Sequence, residues 1–306
     1  MTLKIGTRGS ALAIAQSSAF AARITELTGV ETELVQVSTE GDRNQGLLAQ
    51  IGGQGVFVAA LREALVAGTV DVAVHSLKDL PTTPDERLVI AAIPTREDAR
   101  DVVVARDNLT LGELPQGSRV GTGSPRREAQ LNALGLGLDI VPIRGNVDTR
   151  INKVLTGQLD AVVLARAGLA RLGRVSDATE ILDPLQMLPA PGQGALAGEC
   201  RADDVATIRL LQQLDDADTR AAVTAERSLL AALEAGCTAP VGALAEIADG
   251  DDGDELWLRA LVGDVSGAPT IRMSAMGSPA DATAVGERLA AEMLAEGAAS
   301  LMAAVS

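Results

Sequence analysis

Two stretches of this chain follow one local plan, and that repetition constrains the fold more than any other feature. Leu3-Lys4-Ile5-Gly6-Thr7-Arg8-Gly9-Ser10 runs into a helical pattern from Ala11 to Leu27. Ser118-Arg119-Val120-Gly121-Thr122-Gly123-Ser124 runs into another from Pro125 to Leu134. Each reads as a strand, a Gly-Thr turn with a serine, then a helix. A second matched pair follows: Gly68-Thr69-Val70-Asp71-Val72-Ala73-Val74 and Gly157-Gln158-Leu159-Asp160-Ala161-Val162-Val163. Both read as a helix-ending glycine before a short buried strand. Strands that alternate with helices and are apolar on both faces predict parallel or mixed sheets covered by helices. The expected fold class is therefore α/β, with two such domains facing each other across a cleft.

Short Pro- and Gly-rich segments mark the crossovers, at Ile93-Pro94-Thr95-Arg96 and at Leu188-Pro189-Ala190-Pro191-Gly192-Gln193-Gly194. Gly194 to Leu214 returns as strand and helix, which makes the first domain discontinuous. The expected domains are residues 1–94 with 195–215, residues 95–194, and residues 216–306. The last is a small α+β domain with a helix from Arg220 to Ala235, strands at Val241–Ala248 and Leu256–Val262, and a final helix from Pro279 to Met302. The acidic run Asp249–Glu255 lacks the ligand spacing and distal Glu of a calcium loop and reads as a hairpin turn.

Composition excludes several classes. With two Phe, one Trp and no Tyr, the chain has no aromatic platform for stacking bases, and a net charge of −15 repels a phosphate backbone. No nucleic-acid partner is expected. Two Cys and one His make neither a disulfide framework nor a zinc set, so no metal is expected either. The opening MTLKIGTRGS carries no charged start followed by an apolar run, and no later run has membrane-spanning length. A cytoplasmic protein with no membrane partner is the expectation.

The cations are 23 Arg against three Lys, a bias that GC-rich coding also produces. Their placement is more informative. Open α/β sheets hold ligands at strand ends and helix N-termini. Arg8 and Ser10 occupy the first such turn, and Ser124, Arg126 and Arg127 begin the second-domain helix. His75-Ser76-Leu77-Lys78-Asp79 follows the strand Val70–Val74, and Arg144-Gly145-Asn146-Val147-Asp148-Thr149-Arg150 follows the strand Asp139–Ile143. Taken singly, Ser124 reads equally as an N-cap and His75 as a core residue. Five arginines at equivalent ends of an acidic protein read together as a site for several carboxylates or phosphates. Asp79 stands apart: it either pairs with Lys78 or caps the turn at Pro81, or it works on a positive centre or a proton. Cys237 follows Gly236, which reads as a left-handed helix-ending residue, and a thiol on such a loop is reachable. Cys200 reads as a buried small hydrophobe.

In this order, IGTRGSALAIAQ, AVHSLKDLP, VGTGSPRREAQL, IRGNVDTR, LPAPGQGAL and LEAGCTAPVG resemble the porphobilinogen deaminase (hydroxymethylbilane synthase) family over essentially the whole chain. The resemblance implies three domains, the first two like periplasmic anion-binding proteins. It implies a monomeric transferase of porphyrin, haem and tetrapyrrole biosynthesis, which joins four porphobilinogen molecules head to tail into hydroxymethylbilane and releases ammonia. It also implies a dipyrromethane cofactor held by a thioether to Cys237. By the same resemblance Asp79 is the catalytic aspartate, set against the cation left when ammonia departs. Lys78, Asp79, Ser124, Arg126, Arg127, Arg144 and Gly145 hold the cofactor, and Arg8, Ser10, Arg144, Arg150 and Arg171 bind substrate. Porphobilinogen carries an acetate and a propionate, which suits guanidinium partners.

One departure falls at Gln50 and Gln54, where family members often have lysines, in a loop of about Thr39 to Gly55. The expectation is that the loop still covers the cleft, with Arg43 compensating. A non-catalytic carboxylate-binding protein is the rival reading. The presented cysteine and Asp79 among cations weigh against it. A cysteine hydrolase would need a base, and the one histidine, His75, belongs to another domain.

Overall fold

A computed structural model of the chain describes residues 2–37, 53–236, 239–250 and 253–303, with residues 53–57 and 303 described as backbone. The first segment contains β1 (Leu3–Thr7), α1 (Ala11–Thr28), β2 (Thr32–Gln36), α2 (Gly53–Val66), β3 (Val72–Ser76) and β4 (Leu88–Ala92). Next come β5 (Asp101–Ala105), β6 (Arg119–Thr122), α3 (Pro125–Ala133), β7 (Asp139–Pro142), α4 (Val147–Leu155), β8 (Ala161–Ala165), α5 (Arg166–Arg171) and β9 (Glu180–Ile181). After the second crossover follow β10 (Leu196–Arg201), α6 (Val205–Leu211) and α7 (Ala217–Ala232). The chain closes with β11 (Val241–Gly250), β12 (Gly253–Gly263), β13 (Thr270–Gly277), α8 (Ala282–Ala295) and α9 (Ala298–Ala303). Arg43 and Gln50 lie outside the described residues, as does the side chain of Gln54.

The chain divides into two compact units, Met1–Arg96 with Ala195–Arg220, and Glu97–Gly194 with Ala221–Ser306. The sheet of the first unit has the order β2-β1-β3-β10-β4, and the α/β sheet of the second has the order β7-β6-β8-β5-β9. They correspond strand for strand. In the first, β1 runs parallel to β2 and β3, and β10 is antiparallel to β3 and β4. In the second, β6 runs parallel to β7 and β8, and β5 is antiparallel to β8 and β9. The repeated turn motifs thus occupy equivalent places, after β1 and after β6. The antiparallel strand of each sheet is the one that follows a crossover. An antiparallel strand begins at the edge where its parallel neighbours end, so each crossover delivers chain directly to the ligand-holding side of a sheet.

Local signals explain the elements. The Ser10 hydroxyl accepts the Ala13 N–H (3.2 Å) and starts α1, while Gly29, at φ 70°, ends it. Gly68 and Gly157, the expected helix-ending glycines, have φ of 68° and 71°. The cores are aliphatic: Ile5, Ile24, Val72 and Leu211 in the first unit, Val103, Val120, Leu131 and Val163 in the second sheet.

The C-terminal segment forms the antiparallel sheet β11-β12-β13, covered on one face by α7, α8 and α9. Val285, Leu289 and Met293 share the buried face of α8, as their spacing predicts. The single final helix expected from Pro279 to Met302 is instead broken, because Gly297 adopts φ 97° between α8 and α9. Strand β13 was not expected. Its residues alternate, with Ile271, Met273 and Ala275 packed on the core and Thr270, Arg272 and Ser274 between them. Gly250 pairs with Gly253, so β11 and β12 form a hairpin, and Asp251 and Asp252 of the acidic run lie outside the described residues. Among the described residues no group of acidic, His or Cys side chains is arranged to hold a metal, and no helix is long and apolar enough to cross a membrane.

Close helix packing in this segment supports one prediction. A Cβ on Gly286 would stand 2.4 Å from the Ala225 carbonyl oxygen and 2.8 Å from the Leu229 nitrogen, both main-chain atoms that cannot swing aside. Gly286→Ala should destabilise the protein by roughly 1–3 kcal/mol. Denaturant unfolding checks this, and an unchanged midpoint would mean that α7 and α8 separate freely.

Candidate functional site

Parallel neighbours end on the same edge of a sheet, so β1 and β3 bring their following turns together in the first unit. Arg8 and Ser10 follow β1, and the short 3-10 turn Leu77–Asp79 follows β3. Arg8, Gln16, His75, Ser76 and Asp79 line a cavity of about 60 Å³ there. The Gln16 amide donates to the Ser76 hydroxyl (2.9 Å) and fixes one wall. Asp79 as a residue keeps some exposure, but its carboxyl group is desolvated, which raises its pKa above the ordinary 3.8. The positive charges of Lys78 and Arg8, with His75, oppose that rise without cancelling it. The result is a carboxyl group that holds its proton more tightly than usual, beside cations.

His75 is both a core residue and part of the cavity wall. It is buried, with Nε2 3.3 Å from Glu199 Oε2 but off the direction of a hydrogen bond. Arg62 grips the same carboxylate, with Nη2 2.8 Å and Nε 3.1 Å from Oε1. Burial works to raise the pKa of Glu199, and His75 and Arg62 together more than offset it, holding the carboxyl below its ordinary 4.5. The sign follows from linkage. A lowered folded pKa contributes stability that is present above the unfolded value of 4.5 and is lost as pH falls through the folded one. Glu199→Gln should therefore lower the unfolding temperature at pH 7, with a difference from the parent that narrows on acidification below pH 4.5. Thermal melts across that range test it; a pH-independent difference would remove the ionic explanation.

The equivalent edge of the second sheet presents Ser124, Arg126 and Arg127 after β6. Ser124 occupies the N-cap position of α3, but its hydroxyl makes no capping bond. The two guanidiniums at this helix start are buried rather than solvated. Arg126 and Arg127 are 3% and 5% exposed, because the antiparallel strand β5 begins beside them and supplies Asp101 as a counter-ion. Arg126 Nη2 donates to Asp101 Oδ2 and Arg127 Nη2 to Oδ1, each at 2.7 Å. Arg126 also donates to the Leu188 carbonyl, and Arg127 donates to that of Val163 at 2.9 Å. Burial would raise the pKa of Asp101; the two guanidiniums more than reverse this and hold it far below the usual carboxylate range.

Arg150 is near enough to Arg127 that, after burial, its charge lowers the pKa of Arg150. Arg150 Nε donates to the Gly145 carbonyl at 2.8 Å. Gly145 sits at φ 115°, and a Cβ there would lie 2.8 Å from the Thr149 side chain, so only glycine fits the turn. Asn146 caps α4 by accepting the Thr149 N–H (2.8 Å). Arg144 is exposed. Arg171 donates to the Gly194 carbonyl at 2.6 Å, which ties it to the second crossover. Cys237 lies outside the described residues. Gly236, before it, is not left-handed: α7 ends earlier, with Glu234 at φ 53° in the left-handed place. The Ala235 N–H reaches back to Leu230 O (3.1 Å) and the Glu234 N–H to Ala231 O (2.9 Å), which closes the helix two residues before the glycine.

The donor chemistry suits a ligand that carries carboxylates, as a dipyrromethane does. Among the described residues the buried Nε atoms of Arg126 and Arg127 have no hydrogen-bond partner, and one carboxylate faces two guanidiniums.

A buried arginine pair at one sheet edge and a desolvated acid among cations at the matching edge of another place the chain among α/β proteins whose sheet edges are equipped for anionic ligands. The model of the family "Porphobilinogen deaminase, dipyromethane cofactor binding domain" matches residues 3–209, and that of "Porphobilinogen deaminase, C-terminal domain" matches residues 220–295. Porphobilinogen deaminase of Mycobacterium tuberculosis is 59% identical over 305 residues, covering 98% of each chain. Porphobilinogen deaminase 1 of Streptomyces coelicolor is 59% identical over 309 residues, covering 98% of this chain and 97% of its own. Among solved structures, a BvgS VFT2 domain of Bordetella pertussis aligns with 70% of this chain and 86% of its own at 17% identity and a TM-score of 0.43. The chain belongs to the porphobilinogen deaminase family.

Proposed function

We propose that this chain condenses four porphobilinogen molecules head to tail into hydroxymethylbilane with loss of ammonia, and that Asp79 is the residue on which the chemistry turns. The observation that carries the reading is the desolvated Asp79 carboxyl beside Arg8, Lys78 and His75. Departure of ammonia from the aminomethyl group of the substrate leaves positive charge on its pyrrole. A carboxylate in a poorly solvated cavity stabilises such charge far better than water does. The raised pKa also suits Asp79 to accept the proton that an aromatic carbon releases when a carbon–carbon bond forms there. A dipyrromethane joined to Cys237 supplies, when bound, the nucleophilic pyrrole carbon.

The guanidiniums are assigned to carboxylates. Arg126, Arg127, Arg144 and Gly145, with Ser124 and Lys78, are assigned to the cofactor. Arg8, Ser10, Arg144, Arg150 and Arg171 are assigned to the acetate and propionate groups of the substrate. The unpartnered Nε atoms of Arg126 and Arg127 and the single shared counter-ion support the first assignment. The desolvation of Arg150 and Arg171, whose pKa values burial lowers, supports the second, since a bound anion would relieve it. A three-domain division at 94/95, 194/195 and 215/216 belongs to the same reading, supported by a sheet in each part. We further assign the protein to the cytoplasm as a monomer.

Porphobilinogen consumption by the purified chain, with hydroxymethylbilane as product, tests the activity directly. A protein that binds porphobilinogen without consuming it would fit the anion-binding alternative instead.

A further inference from the structure

Asp101 was not among the residues singled out by sequence, yet it is fully buried and organises the arginine pair. Adjacent guanidiniums on the first turn of one helix repel each other and, left alone, would swing apart. Here one carboxylate places an oxygen on each, at 2.7 Å in both cases. The Gln193 amide, from the second crossover, donates to the same Oδ1 at 2.8 Å and to the Ala99 carbonyl at 2.7 Å. Gln130 braces the arrangement from below: its amide donates to Leu188 O (3.0 Å) and its carbonyl accepts the Leu188 N–H (2.7 Å). Every bond Asp101 makes to the pair uses a terminal Nη2, and both Nε–H groups are without a partner among the described residues. The cluster therefore combines a fixed geometry with one net positive charge.

We propose that Asp101 is a positioning residue for cofactor binding: its carboxylate clamps Arg126 and Arg127 in one orientation and cancels only one of their two charges, leaving a preorganised place for one ligand carboxylate. The proposal rests on the assignment of Arg126 and Arg127 to the cofactor. Asparagine at position 101 would turn an amide donor toward one guanidinium, so one arm of the clamp opens. Glutamate would keep the charge but displace it by a methylene.

The test is the fraction of purified full-length chain that carries the dipyrromethane mass increment, read by intact mass spectrometry, with the unfolding temperature of each variant measured alongside. Asp101→Asn should lower the loaded fraction roughly tenfold or more at temperatures well below its own unfolding midpoint. Asp101→Glu should fall between Asp101→Asn and the parent. A loaded fraction equal to the parent's in Asp101→Asn, or a loss that merely tracks the fall in unfolding temperature, would overturn the proposal. Arg127→Gln separates the two levels. If it loads poorly while Asp101→Asn loads fully, only the clamp is wrong; if it too loads fully, the assignment of the arginines fails and the clamp with it. Should neither Asp101 variant fold, Gln193→Met removes one bond to Oδ1 and leaves the carboxylate in place. A reduced loaded fraction then supports the clamp, and full loading overturns it.

Discussion

Asp79→Asn is expected to lower turnover by about two orders of magnitude or more, the usual effect of removing a group that handles charge or a proton in a transition state. Porphobilinogen binding should change far less, because the guanidiniums remain. The stability of the protein should move in the opposite direction. Burial raises the pKa of Asp79 above 3.8 in the folded chain, so ionisation at neutral pH favours the unfolded state. Asparagine carries no such penalty. Measured without substrate, the variant should melt at least as high as the parent at pH 7, and any advantage should vanish as pH falls below 3.8. Loss of turnover with no loss of stability is hard to obtain from a residue that merely supports the fold. Parent-like turnover in Asp79→Asn would remove the residue from the mechanism.

Cys237→Ser should have an effect as large. The parent chain is expected to weigh more than its sequence by one dipyrromethane, and the variant to show the sequence mass and no detectable turnover. Cys200 cannot substitute as the anchor. It is fully buried, and desolvation pushes its thiol pKa up to about 12, so it presents almost no thiolate at neutral pH. Alkylation of the native variant should accordingly label no cysteine, whereas the unfolded variant should label Cys200. An active parent at unmodified mass would contradict covalent priming.

Much of the candidate site was legible because the relevant residues sit at positions that local pattern defines. A strand, a Gly-Thr turn and a helix start identify Arg8, Ser10, Ser124, Arg126 and Arg127 as residues at one kind of sheet edge. Gly145 came from the family resemblance, and the structure supplies its reason, a turn at φ 115° that only glycine makes. Elsewhere the local pattern is ambiguous. Gly236 looked like a helix-ending glycine, but α7 had already closed at Glu234, since backbone bonding chose the stop before the most permissive residue was reached. Strand β13 alternates Ile271, Met273 and Ala275 with Thr270, Arg272 and Ser274, but only Thr270 and Ile271 are strong strand formers, and pairing with β12 settles its place.

By itself, the sequence determined the repeated α/β plan, the aliphatic cores, the family and the set of polar residues at the strand ends, because each of these is written in short contiguous patterns. The tertiary structure decided which charges meet. Asp101 is 25 residues from Arg126, and Glu199 is 137 from Arg62. Nothing periodic links either pair. They meet because strands placed antiparallel by the two crossovers carry acids to the cations of parallel strands and helices. Inside a sheet edge that excludes water, that meeting determines how many positive charges stay uncompensated, and so what the edge can bind.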